Sequence, residues 1–550
     1  MTKKTIYILF FSLLSIMTAC ENALTETNIN PNQPKEVPVS TLLINAQSSL
    51  IDHIRDESYS GRMALTWVQY WTQSNYTNED RYLFSDNTNA ERWTEIYLDL
   101  MDLQAIAKLN SDPKTKAKAA LYGNNDNQIA VARILSSWTF MLLTETYGPI
   151  PYASYGSKNA TFEALEAKTY QLNPIYADPQ DIYLDILKEL REAADMINEG
   201  EPAFTQGDNI FNGDASKWKK LANSLILRGA LRIRKALPEK ANAAIEKAIQ
   251  SGVMTSNQDN AIFISDNIAA NAAPFYRAFV ISKRSDFTVA KPFIDLLKGE
   301  VGPFSAVDPR LYYYAAPYQA VAFASSGDQV TRGDFIPKEG ERLGEGRFST
   351  DFYIGMPYGL ESEYTSKIGV EATSLPNAPI TATFGNPFMD YAELSFILSE
   401  LNGWDNDHYR QGVRASLERW GVAPRYIDEY LAQLPPASEE TVLTQKYIAL
   451  YMQPFNAWAE YRRTGYPKTL IKPGEVSFID TKGILNESPD APLGKKYLFH
   501  SLVDDLQDDL PARLRYSNKE PLLNPRGYQK GVQLLGGSDK MSTKLWWDID

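Results

Sequence analysis

The 550 residues carry 55 Lys and Arg against 68 Asp and Glu, a formal charge of −13, and are 44% hydrophobic and 22% charged. Such a composition belongs to a globular chain with a large core and argues against bulk disorder. The acidic balance also argues against a nucleic-acid partner, because a polyphosphate backbone needs a basic face.

In chain order, Lys3 and Lys4 precede an apolar run of about 12 residues from Ile6 to Met17, and then come Thr18, Ala19 and Cys20. The run is shorter than the roughly 20 residues of a membrane-spanning helix, so residues 1–19 read as a cleaved export signal. Cys20 is the only cysteine and cannot form an internal disulfide. With its flanks it resembles the lipidated, palmitate-bearing cysteine of a bacterial lipoprotein. Residues 20–40 read as the lipidated end and a polar tether punctuated by Pro31, Pro34 and Pro38. Residues 41–550 hold no later run apolar enough to span a membrane and read as one body, attached to the membrane through lipid.

Helical periodicity dominates to about residue 252. Ile129, Ala132, Ser136, Phe140, Leu143 and Tyr147 share a face before Gly148 and Pro149 break the pattern. Further on, Asp178 is a cap and Pro179 a first helical residue, with a stripe of Tyr183, Ile186, Leu187, Leu190, Ala194 and Ile197. Gly200 is the expected stop of that helix. Trp218, Leu221, Ala222 and Leu225 have the spacing that opens a tetratricopeptide repeat, and Ala244, Ile245 and Ala248 follow before the unit closes at Gly252. Trp93, Ile96 and Leu100 echo that opening, and residues 386–403 followed by Tyr409, Val413, Leu417 and Trp420 read as a further helical hairpin. Each hairpin buries its stripe only against the next, so several must stack. The expected fold is mainly α, with tetratricopeptide-like helical hairpins supporting a loop-rich irregular region. That region is the insertion at about 256–382, rich in Gly, Pro, Tyr and Phe, where only 292–299 looks clearly helical.

The sequence offers no catalytic residue and no metal ligand to assign. His53, His408 and His500 are the only histidines and lack metal-ligand spacing. There is no G-x-S-x-G elbow, phosphate-binding loop or dinucleotide fingerprint. Carboxylate pairs leave a surface-tethered glycoside hydrolase as an alternative. No cofactor is called for; Asp504, Asp505, Asp508 and Asp509 lack EF-hand spacing, and structural calcium is left open.

Aromatic supply is the positive signal, with 32 Tyr, 23 Phe and 10 Trp. Trp67, Tyr70, Trp71, Tyr76 and Tyr82 interleave with Gln69, Gln73, Asn75 and Arg81. Flat rings beside amide and guanidinium donors suit a sugar, which has an apolar C–H face and hydroxyl edges, and they also suit a peptide. The i, i+3, i+4 spacing of Trp67, Tyr70 and Trp71 equally suits a core stripe. The ligand-binding candidates are Tyr70, Trp71, Tyr76, Arg81 and Tyr82, joined by Tyr276, Arg277 and Tyr358, which are read as exposed in the irregular region. Tyr312, Tyr313, Tyr314 and Tyr318 are weaker candidates.

Several spaced motifs recur in one order: Asn30-Pro31-Asn32; Tyr147-Gly148-Pro149-Ile150-Pro151-Tyr152; Gly213-Asp214 leading into Trp218; Gln445-Lys446-Tyr447-Ile448-Ala449; Trp458 with Arg462-Arg463-Thr464-Gly465; Arg513-Leu514-Arg515-Tyr516 with Glu520 and Asn524; and Trp546-Trp547-Asp548. By these the chain resembles the SusD-like lipoproteins of the SusD/RagB superfamily along essentially its whole mature length. The resemblance implies a helical fold supporting an irregular ligand-binding region. It implies a non-enzymatic receptor, lipid-anchored in the outer membrane and facing the cell exterior, that captures an oligosaccharide or a peptide. It further implies a partner, a SusC-like TonB-dependent outer-membrane transporter that the receptor would cover as a lid. Only Cys20 carries over as a functional residue.

Overall fold

The computed structural model describes residues 37–165, 173–284, 286–318, 335–338, 340–485 and 492–549. The export signal, Cys20, nearly all of the 20–40 tether and the Asn30-Pro31-Asn32 motif lie outside the described residues, as does part of the 256–382 insertion.

The helical half is a run of neighbours in which each helix packs on the next: α1 (Val39–Ile54), α2 (Asp86–Ser111), α3 (Asn125–Tyr147), α4 (Pro179–Met196), α5 (Ala215–Ile233) and α6 (Pro238–Ser251). Side-chain oxygens supply the caps: Ser85 accepts from the Thr88 N–H, Asn124 from Asn127, Asp178 from Gln180 and Asp214 from Ser216 and Lys217. The tetratricopeptide signature is the hairpin of α5 on α6. Its Trp218 is buried and donates from Nε1 to Asp208 Oδ2 at 2.8 Å. Gly213 makes the turn into it at φ +83°, where a Cβ would meet the Phe204 carbonyl oxygen at 1.9 Å, so no other residue fits. The helix α4 stops at Met196, short of the Gly200 that its sequence marks as the stop. Asn127 Oδ1 captures the Asn198 N–H at 2.7 Å and draws the chain off the helical path first.

The second half alternates short elements with loops. Strand β1 (Trp71–Gln73) pairs antiparallel with β3 (Phe287–Val289), and β2 (Ala261–Ile264) with β6 (Gly385–Met389). Two further two-stranded pairs are β4 (Ala315–Ala316) with β5 (Leu375–Pro376), and β7 (Val476–Asp480) with β8 (Lys495–Leu498). Asn386 and Pro387 thus belong to a strand, which corrects the reading that a helical hairpin begins at residue 386. The hairpin proper is α9 (Tyr391–Leu401) on α10 (Asn406–Arg419), with α7 (Lys291–Leu297) and α8 (Ser362–Ile368) standing earlier in the chain. Helix α7 overlaps the 292–299 segment that looked helical, and α8 is an addition to it. After α10 come α11 (Pro424–Gln433), α12 (Glu439–Ala449) and α13 (Pro454–Thr464). One apolar core runs from Val39 to Trp547 and joins both halves.

Several of the spaced motifs meet inside this core. Glu460 pairs with Lys446 and Arg463 at 2.8 Å each and with Arg232, which also reaches Glu145 at 2.9 Å. Arg463 holds Glu400 at 2.7 Å as well. Arg462 stacks on Trp458 at 3.8 Å and faces Trp547 at 5.1 Å, while its Nη1 donates to the carbonyls of Glu145 and Ala512. Arg513 donates to the Tyr147 carbonyl and Tyr516 to that of Pro149. Residues far apart in the chain therefore form one buried polar lattice in which each cation is matched by anions or carbonyls.

Candidate ligand-binding face

The loop of residues 74–84, between β1 and α2, emerges where the β1–β3 pair ends. Ser74 donates its N–H to the Asp286 carbonyl at 2.8 Å. Asp80 is fully buried beneath the loop and accepts the Gln73 N–H at 2.7 Å and the Thr72 hydroxyl at 2.5 Å. The loop rests on α8: the Ser362 hydroxyl accepts the Thr77 N–H at 3.1 Å, and Thr365 donates to the Ser74 carbonyl at 2.6 Å. Gln69, Tyr76 and Tyr82 all sit at positive φ, at 57°, 58° and 72°. Each such backbone costs about 1 to 3 kcal/mol unless its surroundings hold it. For Gln69 and Tyr82 the holding is visible: the Gln69 amide exchanges two hydrogen bonds with Ile471, and the Tyr82 ring is buried edge-on against Phe499.

Tyr76 is the exception, because the residue is 70% exposed. A bulky residue is thus held in an unfavourable backbone at the surface. Around it stand exposed Asn75, whose Oδ1 accepts from Ser366, and half-buried Arg81, which pairs with Glu361 at 3.5 Å. An ion cluster flanks the loop: Arg62 with Glu57, Glu79 and Asp286, and Arg284 with Glu57 and Asp286. At the other end of α8, Ile368 lines a cavity of about 350 Å³ with Tyr353, Phe478, Lys482 and the ion pair Lys291–Asp295. A seven-residue helix is about 10 Å long, so loop and cavity lie along one short element.

The remaining candidate residues fall elsewhere. Tyr70, Trp71, Tyr82 and Tyr358 are all 0% exposed. The reading of Tyr358 as exposed is corrected: its hydroxyl donates to the Asp80 carbonyl and its ring packs on Phe499. Trp71 lies among Phe275, Phe279 and Phe287, and Tyr70 stacks on Tyr447 at 4.6 Å, so neither ring offers a face to solvent. Tyr312, Tyr313 and Tyr314 are buried too. Tyr276 and Arg277 are half-buried on the segment whose Phe275 and Phe279 clasp Trp71, and Arg277 is tied to Asp52 on α1. Of the acidic cluster, Asp505 pairs with Arg515 and Asp509 with Lys472. Sequence reasoning missed Arg284, Glu361, Ser362 and Ser366; only the β1–β3 pairing and the docking of α8 bring them to the loop, and no local pattern signals that.

Two other hollows lie on the helical half. The larger, about 700 Å³, is walled by Trp93, Leu98, Met101 and Leu523, with Gln104, Lys108, Glu520 and Asn524 among its polar groups. Glu520 accepts from Tyr176, while Asn524 donates to the Pro174 carbonyl and accepts from Gly527.

Asp80 carries a pH prediction. Burial pushes its carboxyl up to about 7, against the opposing bonds from Thr72 and Gln73. The folded state then holds this proton more tightly than the unfolded chain, so stability declines as pH rises from about 4 to about 7 and levels off above. Asp80→Asn is expected to flatten that limb in thermal melts across the same range.

A stack of helical hairpins supporting a loop-built face defines a binding scaffold. The SusD-like family described as "starch-binding associating with outer membrane" matches residues 31–482, and the chain belongs to it. Members are binding proteins without catalytic activity, and this chain is a binding protein rather than an enzyme. The family is outer-membrane associated, and among the described residues no helix is long and apolar enough to cross a membrane. Among solved structures, the chain is similar to a chitin-binding protein at 25% identity and TM-score 0.68, covering 93% of this chain and 100% of that one. It is similar in fold to a chitin-binding SusD homolog from Flavobacterium johnsoniae, at 22% identity, TM-score 0.66, and 92% and 99% coverage. A SusD homolog from Parabacteroides distasonis gives 22% identity, TM-score 0.68, and 93% and 98% coverage. No curated protein matches the chain.

Proposed function

We propose that this chain is a receptor, lipid-anchored through Cys20 at the outer face of the outer membrane, that captures an oligosaccharide. It passes the ligand to a SusC-like TonB-dependent transporter, which it covers as a lid. Family membership supports the glycan, and the observation that carries the site is Tyr76, an aromatic residue 70% exposed on a backbone at φ +58°. A sugar ring stacks its C–H face on Tyr76, while Asn75 and Arg81 supply hydrogen bonds to hydroxyls. The cavity beside Ile368 takes the continuation of the chain. Tyr70, Trp71, Tyr82 and Tyr358 act beneath, as the packing that holds the loop.

Tyr76→Gly separates binding from stability. Glycine relieves a left-handed backbone that costs an L-residue about 1 to 2 kcal/mol, and little buried area is lost, so the melting temperature should stay level or rise slightly. Loss of a ring at the centre of a binding face should weaken oligosaccharide affinity at least about tenfold in titration calorimetry. Unaltered affinity for a glycan that the parent chain binds would remove Tyr76 from the site.

A further inference from the structure

Arg55 sits at the C-terminal end of α1, only 3% exposed, in the seam between the helical stack and the β2–β6 pair. Its Nη2 donates to the Pro387 carbonyl at 3.2 Å, but Nε and Nη1 are buried and have no hydrogen-bond partner among the described residues. No carboxylate pairs with it among those residues either. The neighbouring charges are spoken for: Arg228 grips Glu393 through two bonds of 2.7 and 2.6 Å, and Arg419 holds Asp390 at 2.9 Å. Glu145 is engaged through one oxygen, Oε1, which accepts from Arg232 and Tyr183, and among the described residues it forms no ion pair with Arg55. Arg55 therefore leaves one positive charge over, and a buried charge with no partner is among the costliest groups a fold can hold. Burial, and behind it the fields of Arg228 and Arg419, pull its guanidinium down to about 9, which still leaves it protonated at neutral pH.

Arg55 lines a cavity of about 20 Å³ together with Trp138, Glu145, Arg228, Gln453 and Asn456. All of its lining residues are buried except Asn456, which is half-buried and whose Nδ2 is a further donor without a partner. We propose that this cavity is a binding site for one small spherical monovalent anion of the chloride class, held by Arg55 Nε and Nη1 and by Asn456 Nδ2. A water would satisfy the hydrogen bonds but leave the charge unmatched, whereas an anion does both. The volume admits about one water-sized particle, which excludes carboxylates, phosphate and sugars. Three side chains converge on strand β6 here, Arg55 on the Pro387 carbonyl and Trp138 and Arg228 on that of Phe388. The anion thus completes the clamp that fixes the irregular half to the helices.

Crystals of the soluble chain grown in sodium bromide, with data collected at the bromine absorption edge, test the site directly. The expected result is an anomalous peak in contact with the Arg55 guanidinium; density there without anomalous signal overturns the proposal. In solution, the melting temperature should be higher in sodium chloride than in sodium gluconate at equal ionic strength, because a ligand of the folded state stabilises it. Arg55→Met should abolish that difference. A difference that persists in the variant would overturn the assignment to this cavity, and the bromide experiment decides on the parent protein should the variant fail to fold.

Discussion

Trp71→Ala is expected to destabilise the fold by about 3 to 5 kcal/mol, the usual consequence of emptying a core of a tryptophan. The ring is fully buried, with Phe275, Phe287 and Phe279 at 4.8, 5.8 and 5.9 Å, and its Nε1 donates to the Tyr451 hydroxyl at 2.8 Å. Truncation opens a cavity at the junction of β1, β3 and the segment that carries Tyr276 and Arg277, and leaves the Tyr451 hydroxyl without its donor. Denaturant unfolding should show the loss as a lower midpoint with an unchanged slope. A stable variant that has lost oligosaccharide binding would mean that Trp71 faces the ligand and that the buried placement is wrong.

Glu460→Gln should be comparably severe. Removing one partner of a buried ion pair costs about 3 to 5 kcal/mol, because the other charge stays buried and unmatched. Here Arg232, Arg463 and Lys446 would all lose the same carboxylate. Burial works to raise the Glu460 carboxyl, but Arg463, Lys446 and Arg232 outweigh it and hold it well below the ordinary glutamate value of 4.5. A depressed carboxyl stabilises fully above the unfolded value and loses that contribution as pH falls towards the folded one. The parent protein should therefore lose stability on acidification below 4.5, and Glu460→Gln, which lacks the carboxylate, should show a flatter acid limb. A parent protein whose melting temperature is constant through that range would contradict the account of the buried lattice.

The helical half was legible because its signals are local. The cap at Asp178, the periodic stripes and the tetratricopeptide spacing at Trp218 each depend on residues within a turn or two of one another. The α4 terminus departed from its glycine because a side chain 71 residues away, Asn127, intervened. Asn386 and Pro387 escaped for a similar reason, since their strand character comes from pairing with residues 262 and 263. The aromatic cluster shows the limit for the site. Rings at 70, 71, 76 and 82 look equivalent in sequence, and only the turn at Tyr76 and the docking of α8 separate the one exposed ring from the three buried ones. Of the motifs that carried the resemblance, those holding Tyr147, Pro149, Lys446, Trp458, Arg462, Arg463, Arg513, Tyr516 and Trp547 proved to be partners in the interior lattice, which explains how they identify the fold while saying little about the ligand.

The central claim is that this chain binds a glycan without altering it, at the face that carries Tyr76. Titration calorimetry of the soluble chain from residue 21 onward, against starch-derived and chitin-derived oligosaccharides, with chromatography of each sugar afterwards, tests it most directly. The account predicts saturable binding of at least one oligosaccharide, recovery of that sugar intact, and weaker binding by Tyr76→Gly. Cleaved products, or no heat from any member of either series, would contradict it.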